Sequence, residues 1–304
     1  MIKQKKILVV GGTGFLGFHL CKEAIKKKWL VTSISSKKPK KKKIVNKEKY
    51  LICDIKKKNN IRKIKDDYDY VVNFGGYVDH SNNKKTYESH YLGLKNLADF
   101  FATKNIKSFI QIGSSVEYGF NKSPQDEKDK TSIKQLKSTY GRAKLLATNY
   151  LLNLYKIKNF PATILRLYLV YGPHQDINRF IPITIDGCLR NLNFNCSEGT
   201  QKRDFVYISD VINVIFKSLK NKRARGEIFN IGTGQPIKIK KIINSIQYTI
   251  KKGKPNYGKI KLRKDEILNL YPKINKAKNI INWSPKIKFQ NGLKKTINYY
   301  KSLK

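Results

Sequence analysis

An α/β fold is predicted, a doubly wound parallel sheet with a smaller C-terminal lobe, and two observations predict it. Short apolar runs alternate with amphipathic helical patterns through the first half of the chain, as in a parallel sheet covered on both faces. A glycine-rich turn, Gly11-Gly12-Thr13-Gly14-Phe15-Leu16-Gly17, directly follows the first run and opens the first helix.

The elements follow in order. Ile7 to Val10 reads as a buried strand, and the glycine turn leads into a helix through about Lys28. Trp29 to Ser35 is the second strand, Tyr50 to Cys53 a short third and Tyr70 to Phe74 the fourth, followed by a helix from about Lys85 to Thr103. Ser108 to Ile112 is the fifth, a helix runs from about Lys134 to Tyr155, and Ala162 to Leu169 is the sixth. Right-handed crossovers place ligands at the carboxyl ends of such strands. Past Tyr171-Gly172-Pro173 the alternation loosens. A helix over Phe205 to Lys220 and a strand over Ile228 to Ile231 precede Gly232-Thr233-Gly234. Pro236, Pro255, Pro272 and Pro285 then mark a loop-rich segment ending in a helix from about Asn291.

Composition narrows the class. With 304 residues, 40% hydrophobic and 11% aromatic, the chain has the make-up of a folded globular protein. Its apolar runs fall far short of the roughly 20 residues of a membrane span. The basic start, Met1 to Lys6, leads into only four apolar residues, too few for a secretory signal. A cytoplasmic protein without a membrane partner is expected. Cys21, Cys53, Cys188 and Cys196 lack CxxC spacing and read as reduced core residues. His19, His80, His90 and His174 lack ligand spacing, so no metal site is expected. The net charge of +43 favours anionic partners. Nine arginines stand against 55 lysines, however, and the lysines cover nearly every predicted surface. Base-edge and bidentate phosphate readers lean on arginine, so no specific nucleic-acid partner is expected. The one low-complexity segment is Lys37-Lys38-Pro39-Lys40 through Lys43, and no internal repeat is present.

The glycine turn has a defined chemistry. Gly11 allows the tight turn, Gly14 lets backbone approach a pyrophosphate, and Gly17 permits helix to pack closely on strand. The N–H groups at the start of the helix, including those of Phe15 and Leu16, face the phosphates. This is a Rossmann arrangement, and it predicts a bound dinucleotide. Residues 1–172, with about 204–233, make the NAD(P)-binding domain; about 173–203 and 234–304 make the substrate-binding lobe. NAD sites place an acid at the end of the second strand, NADP sites a cation. Here the strand ends Ile34-Ser35-Ser36-Lys37-Lys38, which favours NADP(H) and leaves NAD possible. Asp54, after the third strand, is placed either to accept from adenine or to cap a helix.

Tyr140-Gly141-Arg142-Ala143-Lys144 opens a predicted helix, with Tyr140 and Lys144 one turn apart on the same face. A cation there lowers the phenol pKa toward working pH and permits acid–base chemistry. The fifth strand ends in Gly113-Ser114-Ser115-Val116-Glu117-Tyr118-Gly119, which puts a hydroxyl at a ligand-binding strand end.

With these motifs the chain resembles the extended short-chain dehydrogenase/reductase family, whose members act on nucleotide sugars. The resemblance spans nearly the whole length. It includes Leu165-Arg166, Val170-Tyr171-Gly172-Pro173, Arg203-Asp204-Phe205-Val206-Tyr207-Ile208, Asn230-Ile231-Gly232 and Trp283-Ser284-Pro285 with Gly292-Leu293. It implies that Ser114 hydrogen-bonds the reacting sugar oxygen and that Tyr140 exchanges its proton. Lys144 would bind the nicotinamide ribose and tune Tyr140. Arg203 and Arg263 match arginines on the nucleotide diphosphate, Glu266 an acid on the nucleotide ribose, and Asn178 a nucleotide-side contact. The plainer alternatives are a surface ion pair between Arg263 and Glu266 and a helix cap at Asn178. A homodimer through the helices flanking the fifth strand is also implied.

Departures from the family pattern bear on the substrate. Family dehydratases carry an acid two residues before the tyrosine of the Tyr-Gly pair; here that residue is Val116, with Glu117 one place on. The family's asparagine three residues before Gly93 is His90 here, its Ala-Ala after the fourth strand is Gly75-Gly76, and its Arg-Pro after the sixth strand is Arg166-Leu167. The missing acid at 116 disfavours dehydration, and the other departures bear on which sugar is bound. The Gly-Ser-Ser-x-Glu-Tyr-Gly form looks like reductases of nucleotide-linked 4-keto-6-deoxysugars, so an NADPH-dependent ketoreductase is the first expectation. An NAD-dependent 4-epimerase is the second, and a non-catalytic anion-binding protein a remote third.

Overall fold

The structure is a computed structural model that describes residues 4–304 apart from 40, 66, 80 and 264. His80 and Lys40, named above, lie outside the described residues. The first half runs β1 (Lys6–Val10), α1 (Phe15–Lys26), β2 (Leu30–Ser35), β3 (Glu48–Ile52), α2 (Lys58–Ile61) and β4 (Tyr70–Asn73). It continues with α3 (Asn83–Tyr87), α4 (Gly93–Phe101), β5 (Ser108–Ser114), α5 (Thr139–Lys158) and β6 (Ala162–Leu167). Next come β7 (Leu169–Tyr171), α6 (Phe180–Leu189), β8 (Asn193–Asn195), β9 (Lys202–Arg203), β10 (Phe205–Tyr207), α7 (Ile208–Lys220) and β11 (Glu227–Ile231). The chain ends with β12 (Ile237–Lys238), α8 (Ile239–Ile250), β13 (Lys254–Asn256), β14 (Asn269–Leu270), α9 (Asn275–Ile281) and α10 (Phe289–Lys301).

Seven strands form one parallel sheet in the order β11-β6-β5-β4-β1-β2-β3. Alternation along each strand divides the core into two layers. Ile7 and Val9 of β1 face α1 and α7, among Leu20, Cys21, Val211 and Ile215. Leu8 and Val10 face the opposite layer with Leu94 and Leu97 of α4 and Leu151 of α5. All four cysteines are buried free thiols. Among the described residues no helix is long and apolar enough to cross a membrane.

Several predicted boundaries move for local reasons. The sixth apolar run is two strands: β6 stays in the main sheet, while β7 leaves to pair in parallel with β10. The helix expected from Phe205 starts at Ile208, because Phe205, Val206 and Tyr207 are all buried as β10. The helix expected from Lys134 starts at Thr139, where Ser138 caps it by accepting from the Gly141 N–H at 3.0 Å. The single helix expected over Lys85 to Thr103 is broken by a π-helical turn over Glu88–Leu92, in which the Gly93 N–H reaches back to the Glu88 carbonyl. Such turns insert one residue and re-aim the side chains around them. The late segments lock onto the sheet layer through Asp210 of α7. Its carboxylate accepts from the Ile287 N–H at 2.9 Å, and its carbonyl accepts from the Trp283 indole at 3.1 Å.

Candidate active site

The strand order reverses at β1, which has β2 on one side and β4 on the other. A crevice opens there, at the carboxyl ends of the strands. It holds a cavity of about 560 Å³, lined by Gly11, Thr13 and Gly14, by Ser35 to Lys37 after β2, by Asp54 after β3 and by Phe74 to Val78 after β4. The glycine turn is a cradle that only glycines permit. Gly11 has a φ of +78°. A Cβ on Gly17 would lie 2.6 Å from the Gly12 Cα, nearer than any real side chain approaches backbone. Gly14 is the N-cap of α1 without a side-chain cap, so the helix start keeps N–H groups for an anion. Phe15 and Leu16, the first helical residues, pack their side chains on the core below. These features fit a dinucleotide pyrophosphate. Gly17→Ala is expected to cost about 1–3 kcal/mol through forced overlap and to abolish retention of the dinucleotide, read by thermal denaturation and nucleotide content.

At the ribose end, the Ser35 hydroxyl donates to the Lys37 carbonyl at 2.6 Å, and Ser36 and Lys37 line the cavity. Asp54 lines it too, with its carboxylate 3.1 Å from the Lys56 N–H and 3.7 Å from the Lys56 ammonium. It caps no helix, since the N-cap of α2 is Lys57.

The three residues proposed for chemistry come together. Ser114 is the last residue of β5, and its hydroxyl hydrogen-bonds the Tyr140 phenol. Tyr140 is the second residue of α5, and the Lys144 ammonium, one turn on, lies 5.8 Å from its ring centroid. The expectation that Lys144 lowers the phenol pKa needs correction. The ammonium donates to the Ile112 carbonyl at 2.7 Å, and burial pushes its pKa down to about 8. Burial pushes Tyr140 up to about 12, against the opposing effects of the Ser114 hydrogen bond and the Arg179 charge. Lys144 therefore acts here on the strand end.

The outer end of the site is less assembled. Arg203 of β9 pairs with Glu266, and its side chain is only 12% exposed. Burial lowers the Arg203 pKa, while Glu266 favours the charged form. Arg263 is exposed and touches Glu266 only through its carbonyl, which accepts from the Glu266 N–H at 3.0 Å. The alternative Arg263–Glu266 ion pair is thus replaced by Arg203–Glu266. Asn178 is exposed in the turn before α6, and the N-cap of that helix is Arg179. The helix-cap alternative for Asn178 is accordingly also corrected.

The model of the NAD dependent epimerase/dehydratase family matches residues 7–232. This chain belongs to that family. A putative UDP-glucose 4-epimerase of Methanocaldococcus jannaschii is 29% identical over 97% of this chain and 98% of its own length. A UDP-glucuronate 4-epimerase of Thermodesulfobacterium geofontis is 31% identical over 70% of this chain and 65% of its own length. Among solved structures, a variant of UDP-glucuronic acid 4-epimerase from Bacillus cereus, in complex with UDP-4-deoxy-4-fluoro-glucuronic acid and NAD, superposes with a TM-score of 0.87. It is 25% identical, covering 98% of this chain and 100% of that one.

Within this epimerase/dehydratase enzyme, residues outside the sequence-derived set hold the site in place. Glu117 and Arg166 form an ion pair of 2.9 Å with side chains 0% and 2% exposed. One Glu117 oxygen accepts from the Ser114 N–H at 2.8 Å; the other accepts from the Thr148 hydroxyl at 2.7 Å and from Arg166. One carboxylate thus ties β5, α5 and β6 together beneath the Ser114 hydroxyl. The guanidinium stacks 4.4 Å from the Tyr118 ring centroid, and the Tyr118 hydroxyl donates to Asn230 at 2.8 Å. The signal was an arginine inside the apolar run Thr163-Ile164-Leu165-Arg166-Leu167. In a strand buried on both faces it must have an acidic partner. Arg179 was also missed. Its guanidinium lies 3.5 Å from the Val78 carbonyl and acts on Tyr140 across the crevice.

Proposed function

We propose that this enzyme inverts C4 of a UDP-linked hexose or hexuronate, using NAD that it keeps through the cycle. The observation that carries the reading is the state of Glu117. Ser114, Tyr140 and Lys144 stand together at the strand ends, but the neighbouring carboxylate is committed to Arg166, Thr148 and the Ser114 N–H. Val116, where family dehydratases place an acid, is apolar and 37% exposed. Oxidation and reduction at C4 is therefore supported, and loss of water from the sugar lacks its catalyst. The names of the relatives, 4-epimerases of UDP-glucose and UDP-glucuronate, support the same choice.

The turn of Gly11 to Gly17, Ser35 to Lys37 and Lys144 would hold the dinucleotide, which when bound supplies a reversible acceptor for the C4 hydrogen and its electron pair. Tyr140 takes the proton of the C4 hydroxyl as the C4 hydrogen leaves and, once the 4-keto sugar has turned its opposite face for that hydrogen to return, gives the proton back to the same oxygen. The Ser114 hydrogen bond and the Arg179 charge both favour the phenolate, the form that accepts that proton. Ser114 also orients the sugar oxygen toward the phenol. Arg203 and Glu266, with Arg263 and Asn178, would take the nucleotide, a planar guanidinium being suited to a diphosphate.

A second reading, an NADPH-dependent reductase of a nucleotide-linked 4-keto-6-deoxysugar, is favoured by one feature. Ser35-Ser36-Lys37 puts hydroxyls and a cation, and no acid, at the end of β2. The deciding experiment uses the protein as purified. Its bound nucleotide is released and identified, and the protein is incubated without added cofactor with UDP-glucose or UDP-glucuronate. Bound NAD and appearance of the C4 epimer by NMR are expected. Protein that arrives empty and prefers NADPH tenfold or more, about 1.4 kcal/mol, overturns epimerisation in favour of reduction.

A further inference from the structure

Gly76, in the loop after β4, and His90, in the π-helical turn 14 positions on, meet at one place in the fold. His90 is the third residue of that turn. A Cβ built on Gly76 falls inside the His90 imidazole, 2.8 Å even from its far nitrogen Nε2. His90 is buried at 6% exposure, and Nε2–H donates to the Tyr77 carbonyl at 3.1 Å. The Tyr77 N–H donates to the Ser89 hydroxyl at 2.8 Å, so the π turn grips the strand-end loop from both sides. The loop is anchored below by Asn73, which accepts from the Gly75 N–H at 2.9 Å and donates to Gln111 at 2.8 Å.

The imidazole ring stands nearly perpendicular to the ring of Tyr140, at 71° and with centroids 4.9 Å apart. The Lys144 ammonium also lies over that ring. We infer that Gly76 and His90 are a coupled pair, in which the imidazole fills the volume left by the missing Cβ and positions the Tyr140 ring for proton transfer. His90 is a positioning residue, acting through Tyr140. The inference rests on Tyr140 as the proton-transfer group, and it holds for either direction of hydride chemistry. The mechanism of the coupling is steric. A methyl group at position 76 overlaps the imidazole and forces the ring or the loop to shift, whereas the shorter asparagine is expected to leave room for it.

Four proteins test it: wild type, Gly76→Ala, His90→Asn and the double variant, with His90→Ala as a fifth. Gly76→Ala is expected to lower the thermal midpoint most, and adding His90→Asn to raise it again, a non-additivity expected only of residues in contact. If Gly76→Ala cannot be isolated folded, a folded double variant makes the same point; a double variant no better than Gly76→Ala overturns the coupling. His90→Ala is expected to lower kcat on the order of 10–100-fold, as for displacement of a reacting group by about an ångström, with KM and bound nucleotide within about threefold of wild type. An unchanged kcat, or a rise in KM alone, overturns the positioning role. If wild type turns over no nucleotide sugar, the proposed function fails while this inference keeps its own readout. The Tyr140 resonance of [¹³Cζ]tyrosine-labelled protein, assigned by its loss in Tyr140→Phe, must move in His90→Ala; a stationary signal overturns it.

Discussion

Tyr140→Phe is expected to lower kcat by about 10³–10⁴-fold, the upper part of the range for a positioned acid–base group, while leaving KM and bound dinucleotide near wild type. The substitution removes a single oxygen. The ring keeps its contacts with His90 and the Lys144 ammonium, and α5 keeps its Ser138 cap. What is lost is the hydroxyl proposed to carry the C4 proton, with its hydrogen bond to Ser114. Steady-state kinetics on the purified variant check this. A loss under tenfold would assign proton transfer elsewhere, and full indifference would favour an anion-binding protein drawing on the +43 charge.

Glu117→Ala is expected to destabilise the protein by about 3–5 kcal/mol, because removing one partner of a buried pair strands the other charge. Arg166, 2% exposed, has no route to solvent, and the Thr148 hydroxyl and Ser114 N–H lose their acceptor as well. For a chain of this size the thermal midpoint should fall by on the order of 10 °C. Changing both partners together, Glu117→Ala with Arg166→Met, should recover part of the loss, since an apolar pair leaves no charge behind. A single-variant cost below about 1 kcal/mol, the level of exposed pairs, would show that Arg166 finds another partner. Because Glu117 also fixes the Ser114 backbone, kcat should fall even in molecules that remain folded.

The sheet was legible because each strand carries its own signal. Val9 and Val10 lead directly into Gly11, whose φ of +78° other residue types rarely adopt. The grouping of Ser114, Tyr140 and Lys144 was legible for a related reason: one sits at a strand end, the others one helical turn apart. What the chain hid were contacts between distant segments. Glu117 and Arg166 are 49 positions apart and meet only because β5 and β6 are neighbours. Their spacing holds no periodicity to read. Arg203 and Glu266 were each singled out as nucleotide contacts, but their pairing with each other was not, and the one ion pair weighed for Glu266 was with nearby Arg263. The π turn at Glu88–Leu92 was invisible for another reason. It is closed by the Gly93 N–H and packs against α5 and the loop after β4, and a single glycine at that point does not distinguish a π turn from an ordinary helix.

The position of β11 sets a timetable for the nascent chain. β6 is buried along its whole length, yet the strand that covers its outer edge begins roughly 60 residues later, several seconds of synthesis at about 5–20 residues per second. During that interval Ala162 to Leu167 is an open, apolar sheet edge, the geometry that recruits foreign strands. The charged residue it carries, Arg166, points to Glu117 rather than to the edge, so it offers no protection there. Aggregation during expression should therefore be sensitive to translation speed between residues 168 and 231, and least where that stretch is read quickly.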